Sequence, residues 1–350
     1  MSGAPLSAHL NNAGLAELLG LEADAAEGHR KRALGRASSA ALLWAEEAAG
    51  LPEQGRSLTE LEAVGPGIER RLTQWLKDPP EVPEPPPARR GFNTFAAARA
   101  EVASQQEWRS ELKADLQMHT TWSDGNSTLP EMATACAARG LAYIAITDHS
   151  GGMRVPRGMD SEQLAEQGRA IERLNEGLGS SADFRVLRAI EMNIDAEGQG
   201  DMDPAVLPGL DLVLGSFHSA LRVAEDSTQR YLTTLRNPNI DVIGHPRGRR
   251  YSRRPGLNAD WERVFAEAAS LGKAVEINSH PHRQDLSDEL LPVANASGVM
   301  FTIGTDSHDP SELRFVDMAL SAAMKAGIER PRILNYRTCA DLQSWVASHR

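Results

Sequence analysis

One pattern restricts the fold of this chain more than any other. From residue 113 onward, short apolar runs alternate with helical stretches. KADLQM, YIAIT, FRVLRAIEMNI, DLVLGSF, IDVIGH, AVEIN and MFTIGT are separated by segments such as STLPEMATACAARG, SEQLAEQGRAIERLNEGLG and NADWERVFAEAASLG. Strand followed by helix, repeated, predicts a parallel sheet. Seven such units in roughly 240 residues suit a (β/α) barrel better than an open sheet. A parallel barrel turns every strand C-terminus to one face, so residues at those ends converge however far apart they lie in sequence.

Each strand finishes with a side chain able to bind a cation. The first ends in Gln117 and His119, with Asp124 just beyond, and the second in Thr147-Asp148-His149. The third holds Glu191, the fourth ends in Ser216-Phe217-His218 and the fifth in Gly244-His245-Pro246. The sixth ends in Glu276-Ile277-Asn278 and the seventh in Thr305-Asp306-Ser307-His308. Five of the ten histidines occupy these ends, whereas His9, His29, His280, His282 and His349 do not. A lone histidine at a strand end is usually a cap or surface residue. Five of them, with Asp124, Glu191 and Asp306 on the same barrel face, predict a metal cluster. Neutral imidazole with bridging carboxylate is the ligand set of zinc, manganese or iron.

Upstream, the segment DPPEVPEPPPARRG (78–91) carries six prolines, which exclude both helix and central strand. It reads as a stiff linker, continuing through a lead-in helix over 79–110, between an N-terminal module (1–78) and the barrel (111–350). The N-terminal module reads as all-α, with helical spacing in GLAELLGLEA, GHRKRALGRASSAALLWAEEAAG and IERRLTQWLKD. The fold class is therefore α/β, a seven-unit barrel with a small all-α N-terminal domain.

The formal net charge of −11 excludes coating of nucleic acid by bulk electrostatics, so a nucleic-acid function would need local basic patches or bound cations. RGRRYSRR, directly after the His245 strand end, is such a patch. Arg247, Arg249, Arg250, Arg253 and Arg254 fall on the expected site face and suit phosphate contact, the alternative being a solvated loop. Arg154, Arg157 and Arg283 are weaker candidates, and the histidines of HPHR (280–283) have no assigned role. Two cysteines, Cys136 and Cys339, far apart, exclude a disulfide framework and a cysteine-rich zinc site. No leader peptide is read at the N-terminus and no apolar run approaches ~20 residues, so a cytoplasmic location without membrane contact is expected. The oligomeric state is not read.

DLQMHTTWSDG, TDH, the strand with Glu191, SFH, GHP and TDSH together resemble the PHP (polymerase and histidinol phosphatase) phosphoesterase domain. Within it they are most similar to the form appended to bacterial family X DNA polymerases. The resemblance implies a distorted (β/α)7 barrel binding two or three divalent cations (Zn2+, Mn2+ or Fe2+). It implies a first site of His119, Glu191 and Asp306, with Gln117 where a histidine is usual. A second would use Glu191, His218 and His245, and a third Asp124, His149 and His308. A neutral amide oxygen is a weaker ligand, so the first site would bind loosely or prefer manganese. Asp306 and His308 would serve catalysis, His308 as ligand or proton carrier. Asp148 would either orient His149 or cap its loop.

The N-terminal module resembles the small helical domain of the same polymerases. LTELEAVGPGIERRLTQWL looks like a helix-hairpin-helix, in which Gly65 and Gly67 would bring backbone N–H groups to a DNA phosphate without reading sequence. Where some relatives carry a Schiff-base lysine, Arg71 stands here, and a permanently protonated guanidinium cannot replace that amine. The roughly 30 residues between the modules leave no room for a polymerase palm. The expected function is metal-dependent phosphodiester hydrolysis on DNA, as a 3′→5′ exonuclease or 3′-end processing enzyme in repair. A small-molecule phosphatase and a non-enzymatic DNA- or partner-binding module are the alternatives.

Overall fold

The computed structural model describes residues 10–152, 158–178 and 184–350. Arg154, Arg157 and His9 lie outside the described residues. The helical module comprises α1 (Asn12–Asp24), α2 (Gly28–Ala41) and α3 (Pro66–Lys77), with short 3-10 turns between α2 and α3. Asn11 caps α1 by accepting from Gly14 N–H at 2.9 Å, and Leu15, Leu19, Leu34, Leu42, Leu51, Leu72 and Trp75 fill the core. Two sequence expectations shift here. Helix α2 stops at Ala41 because the Leu42 carbonyl turns away to accept from Phe95 N–H at 2.8 Å. The first helix of the expected hairpin is only the 3-10 turn Leu58–Glu60.

The proline-rich stretch forms neither helix nor strand over residues 78–86. It is anchored by Arg89, whose guanidinium is 6% exposed and grips Glu17 through two hydrogen bonds of 2.9 Å and Asp24 at 2.8 Å. Helix α4 (Phe95–Ser104) and the single turn α5 (Glu107–Ser110) then lead into the barrel.

Seven parallel strands follow in sequential order: β1 (Ala114–Asp115), β2 (Tyr143–Ile146), β3 (Arg185–Ile194), β4 (Leu212–Phe217), β5 (Val242–Gly244), β6 (Ala274–Asn278) and β7 (Met300–Gly304). The connecting helices are α6 (Leu129–Ala137), α7 (Ser161–Leu178), α8 (Thr228–Leu235), α9 (Trp261–Ser270) and α10 (Leu291–Ala296). Helices α11 (Val316–Lys325) and α12 (Cys339–Ala347) follow β7. The ring is nearly closed. Between β7 and β1 the link is made by Leu116 N–H to the Ile303 carbonyl (3.2 Å), Asp306 N–H to Gln117 (3.0 Å) and His119 N–H to Ser307 (2.9 Å). Because residues 116–119 pair across this seam, β1 is shorter than the KADLQM run.

The strands alternate two faces. Val213, Phe217, Ile243, Val275, Ile277 and Phe301 pack on the helices. Ala145, Leu187, Ala189, Leu212, Leu214, Val242 and Ala274 fill the inside, closed below by Leu342, Trp345 and Val346 of α12. The inward set continues upward with polar residues: after Leu187 and Ala189 comes Glu191, and after Ala274 come Glu276 and Asn278. The same alternation that builds the core thus aims carboxylates into the barrel mouth. Among the described residues, no helix is long and apolar enough to cross a membrane.

Removing Arg89 leaves Glu17 buried without its partner, so Arg89→Ala is expected to destabilise the helical module by about 3–5 kcal/mol. Denaturant unfolding followed by circular dichroism checks this, and a change within experimental error refutes it.

Candidate metal centre

Glu191 is the hub. Its fully buried carboxylate faces four imidazoles: His245 Nε2 at 2.7 Å and His218 Nε2 at 3.2 Å from Oε1, and His149 Nδ1 at 3.3 Å and His119 Nε2 at 3.4 Å from Oε2. Asp306 Oδ1 lies 3.1 Å from His119 Nε2. Asp124 lies 3.6 Å from His149 and 3.3 Å from His308. Three overlapping groups have ligand atoms close enough to share an ion: His119, Glu191 and Asp306; His149, Glu191 and His218; and His119, Asp124, His149 and His308. Residues from strand ends spread between positions 119 and 308 are thus brought together.

Both oxygens of Glu191, His119 Nδ1, His218 Nε2 and both ring nitrogens of His245 are buried without a partner in hydrogen-bond geometry. Unpaired polar atoms at this depth are costly. A cation with carboxylate and imidazole ligands satisfies them together, so the residues fit divalent ions.

Protonation agrees with that reading. The surrounding histidines hold Glu191 well below the usual carboxylate range although burial opposes it. Burial brings His149 down to about 3 and lowers His218, leaving both neutral. His119 goes the other way. Burial works against its charge, but the carboxylates of Asp306, Glu191 and Asp124 outweigh it and push it up to about 10.

Supporting contacts fix ring orientation. The carbonyl oxygen of Asp306 can only accept, so His308 donates to it through Nδ1 at 2.9 Å and presents Nε2 to Asp124. His218 is set likewise: Nδ1 lies 2.7 Å from Asn193 Oδ1, leaving Nε2 toward Glu191. Asn193, missed from the sequence, stands two residues beyond Glu191 on the same strand, and strand periodicity was the available signal. Asp306 and His245 both adopt left-handed backbone, with φ of 54° and 23°. Non-glycine residues pay for that conformation, and such strain concentrates at functional sites.

Other expectations resolve differently. Gln117 accepts from Asn278 Nδ2 at 3.0 Å, and the same amide contacts Glu276 and Asp306 at 3.2 Å. Burial holds Glu276 well above the usual carboxylate range. Gly304 packs so tightly here that a Cβ would collide with Glu276 and Gln117. Asp148 does not meet His149 in any described hydrogen bond. It accepts from Thr120 N–H and hydroxyl, Ser123 hydroxyl and Gln167 Nε2 at 2.5–2.7 Å, capping the loop that carries His119 and Asp124. Of its two possible roles, the structure places it in the loop one, not in a catalytic contact.

The arginine-rich loop divides. Arg249 turns inward over the Phe92 ring at 3.9 Å and donates to the carbonyls of Arg90 and Gly91, which corrects its expected place as a phosphate contact: its guanidinium clamps the linker. Arg247 is half-buried against the Leu257 carbonyl. Arg250, Arg253 and Arg254 stay together with Arg283, which reaches Asp306 Oδ2 at 2.7 Å. Burial and the charges of Arg283, Arg250, Arg222 and Arg253 push Arg254 down to about 10, the mark of a crowded positive rim.

Gly65 and Gly67 lie apart from this centre. Gly65 caps α3 and both line a cavity of about 690 Å³ with Arg30, Arg36 and Arg71. Arg71 is paired with Glu22 and stacks 5.1 Å over Trp75.

Comparison with known proteins places this geometry. The model of the PHP domain matches residues 115–280. A "Probable phosphatase" of Acetivibrio thermocellus is 31% identical over 238 residues, covering 62% of this chain and 92% of that protein. The chain belongs to the PHP domain family. PHP proteins are metal-dependent phosphoesterases, in keeping with the cluster. The DNA polymerase/3′-5′ exonuclease PolX of Bacillus subtilis is 38% identical over 237 residues, 67% of this chain but only 41% of PolX, so less than half of that protein is represented. A crystal structure of histidinol phosphate phosphatase from Lactococcus lactis, with zinc, L-histidinol and phosphate, aligns at a TM-score of 0.48 and 21% identity, covering 62% of this chain and 95% of that one.

Two measurements follow from this geometry. Asn193→Ala releases the His218 ring and is expected to weaken Mn2+ binding by about 10–100-fold in calorimetric titration, an unchanged affinity counting against the contact. A proton held on His119 must leave when a cation binds. Mn2+ affinity is therefore expected to rise with pH throughout the range below about 10. Titration in buffers of different ionisation enthalpy should show proton release.

Proposed function

We propose that this chain is a metal-dependent phosphodiesterase acting on DNA, as a 3′→5′ exonuclease or 3′-end processing enzyme. The observation that carries the reading is the joining of two opposite chemistries at one barrel mouth. A carboxylate–imidazole cluster seeks cations, and Arg283 against Asp306, with the arginines of the loop after β5, seeks phosphate.

His119, Glu191 and Asp306 would hold one divalent ion, with Gln117 beside them. Glu191, His218 and His245 would hold a second, and Asp124, His149 and His308 a third. Bound there, zinc, manganese or iron would supply the positive charge that polarises a phosphoester and makes water acidic enough to attack. The protein's own groups do the rest. Glu191 ties the sites together, and Asn193 and the Asp306 carbonyl hold His218 and His308 in the right tautomer. Arg250, Arg253, Arg254 and Arg283 orient the phosphate and balance its charge. His308, 25% exposed at its side chain, lies at the open edge of the third site.

The DNA assignment draws on the similarity to PolX and on the helical module. There the Gly65–Gly67 turn starts a helix beside Arg30 and Arg36, a setting suited to a backbone phosphate. The acidic net charge makes such binding local and salt-sensitive. A small-molecule phosphatase is the second reading, favoured by the near full-length match to the A. thermocellus protein.

The test uses full-length protein with Mn2+ and 5′-labelled single-stranded and gapped oligonucleotides. A descending ladder that Asp306→Ala/His308→Ala abolishes is the expected result. Intact DNA with metal-dependent phosphate release from small monoesters would establish the second reading instead. No hydrolysis of either class would leave a binding module.

A further inference from the structure

Two loops of the metal face leave the barrel and end on the helical module. The loop after β5 sends Tyr251 into the module: its ring is 5% exposed and belongs to the core built by Leu15, Leu34 and Trp75. Ser38 of α2 gives its hydroxyl proton to the Ala16 carbonyl at 2.8 Å, so Tyr251 donates to Ser38 Oγ, 3.0 Å away. Phe92 of the linker packs edge-on against the same ring at 5.1 Å.

The loop after β6 makes the parallel contact. His282 lies 3.2 Å from the Ser39 carbonyl, which fixes the proton on Nε2, and its ring stacks on Tyr251 at 6.3 Å. The loops are joined directly, since Tyr251 N–H donates to the His282 carbonyl at 2.9 Å. The next residue is Arg283, whose Nε meets Asp306 Oδ2 at 2.7 Å. Tyr251, His282 and Arg283 are thus the only residues between α2 of the helical module and a carboxylate of the metal centre along this path.

A guanidinium held against a centre of this kind must be aimed to be useful, because about 1 Å of misplacement forfeits much of an oriented contact. Arg283 lies in the turn after β6, where its N–H donates to the His280 carbonyl at 2.8 Å and its guanidinium meets Asp306. Its backbone is set by the turn containing His282, and that turn is pinned to α2.

We infer that the helical module forms a wall of the active site, and that Tyr251 and His282 are positioning residues that hold Arg283 for a phosphate group bound beside Asp306. This rests on the phosphoester reading above. It goes beyond it in making the module part of the site rather than a tether for DNA. Arg283 touches the substrate; Tyr251 and His282 act only through it.

The test measures binding of inorganic phosphate to Mn2+-loaded full-length protein by calorimetry, together with metal content and thermal unfolding. Tyr251→Ala is expected to weaken phosphate binding about tenfold with metal content unchanged, and Ser38→Ala, which removes one hydroxyl, about threefold. In an Arg283→Ala background, Tyr251→Ala should add no further loss, because both changes remove the same contact. A lowered melting temperature with unaltered phosphate affinity would overturn the inference, as would losses that multiply in the double variant. Should Tyr251→Ala fail to fold, Ser38→Ala and His282→Gln carry the same comparison. Because phosphate binding is read without turnover, absence of any hydrolysis by the wild type would sink the functional reading while these affinities still decide the positioning. A wild type that binds no phosphate would overturn both.

Discussion

A negative charge with no hydrogen-bond donor, at the centre of a barrel, is the constraint on which this structure turns. Glu191 lies on the strand face that below it carries Leu187 and Ala189, so its burial follows from the same periodicity that makes the core. An ionised carboxylate in that position costs several kcal/mol unless it is compensated. Four imidazoles surround it, and one protonated ring, His119, cannot by itself repay that cost for Glu191, Asp306 and Asp124 together. Divalent cations can, and the ligand geometry, the neutral state of His149 and His218 and the strained backbone at Asp306 and His245 all become intelligible from that need.

Around this anionic centre the protein sets a cationic rim, and the two are coupled through Arg283 and Asp306. An overall acidic chain can therefore present a locally positive surface where a phosphate would arrive. Arginines of one loop do different work: Arg249 stacks on Phe92 and secures the linker, while Arg250, Arg253 and Arg254 remain at the mouth. The loop is held from both sides, by Arg249 on the linker and Tyr251 in the helical module.

Much of the architecture was legible in the residues. All seven strands fall within their apolar runs, because a buried parallel sheet needs uninterrupted apolar segments and this chain separates them cleanly with helices. The polar strand ends converge because barrel topology leaves them no alternative. What escaped the sequence was decided by tertiary contacts. Helix α2 is shorter than its composition suggests since Leu42 and Trp44 turn to serve other elements, the latter donating to the Glu62 carbonyl. Five arginines within eight residues look alike until Phe92 selects one of them. Asn193 looks like any polar strand residue until His218 is seen beside it, and Asp148 proved to cap a loop because Thr120, Ser123 and Gln167 converge on it.

The seam between β7 and the segment after β1 has a consequence for how the molecule assembles. Besides the Leu116–Ile303 bond, it is made by Asp306 N–H to Gln117 and His119 N–H to Ser307, so His119 and Asp306 belong both to the seam and to the centre. Closing the ring brings His119 and Asp306 side by side. The seam joins segments separated by nearly the whole length of the barrel sequence, so its closure is entropically demanding. Ions held by His119 from one side and Asp306 from the other would act as a clasp on that joint, favouring the closed chain in proportion to how much tighter they bound it than the open one. In this fold the segments that carry the candidate ligands are also the segments that close the barrel.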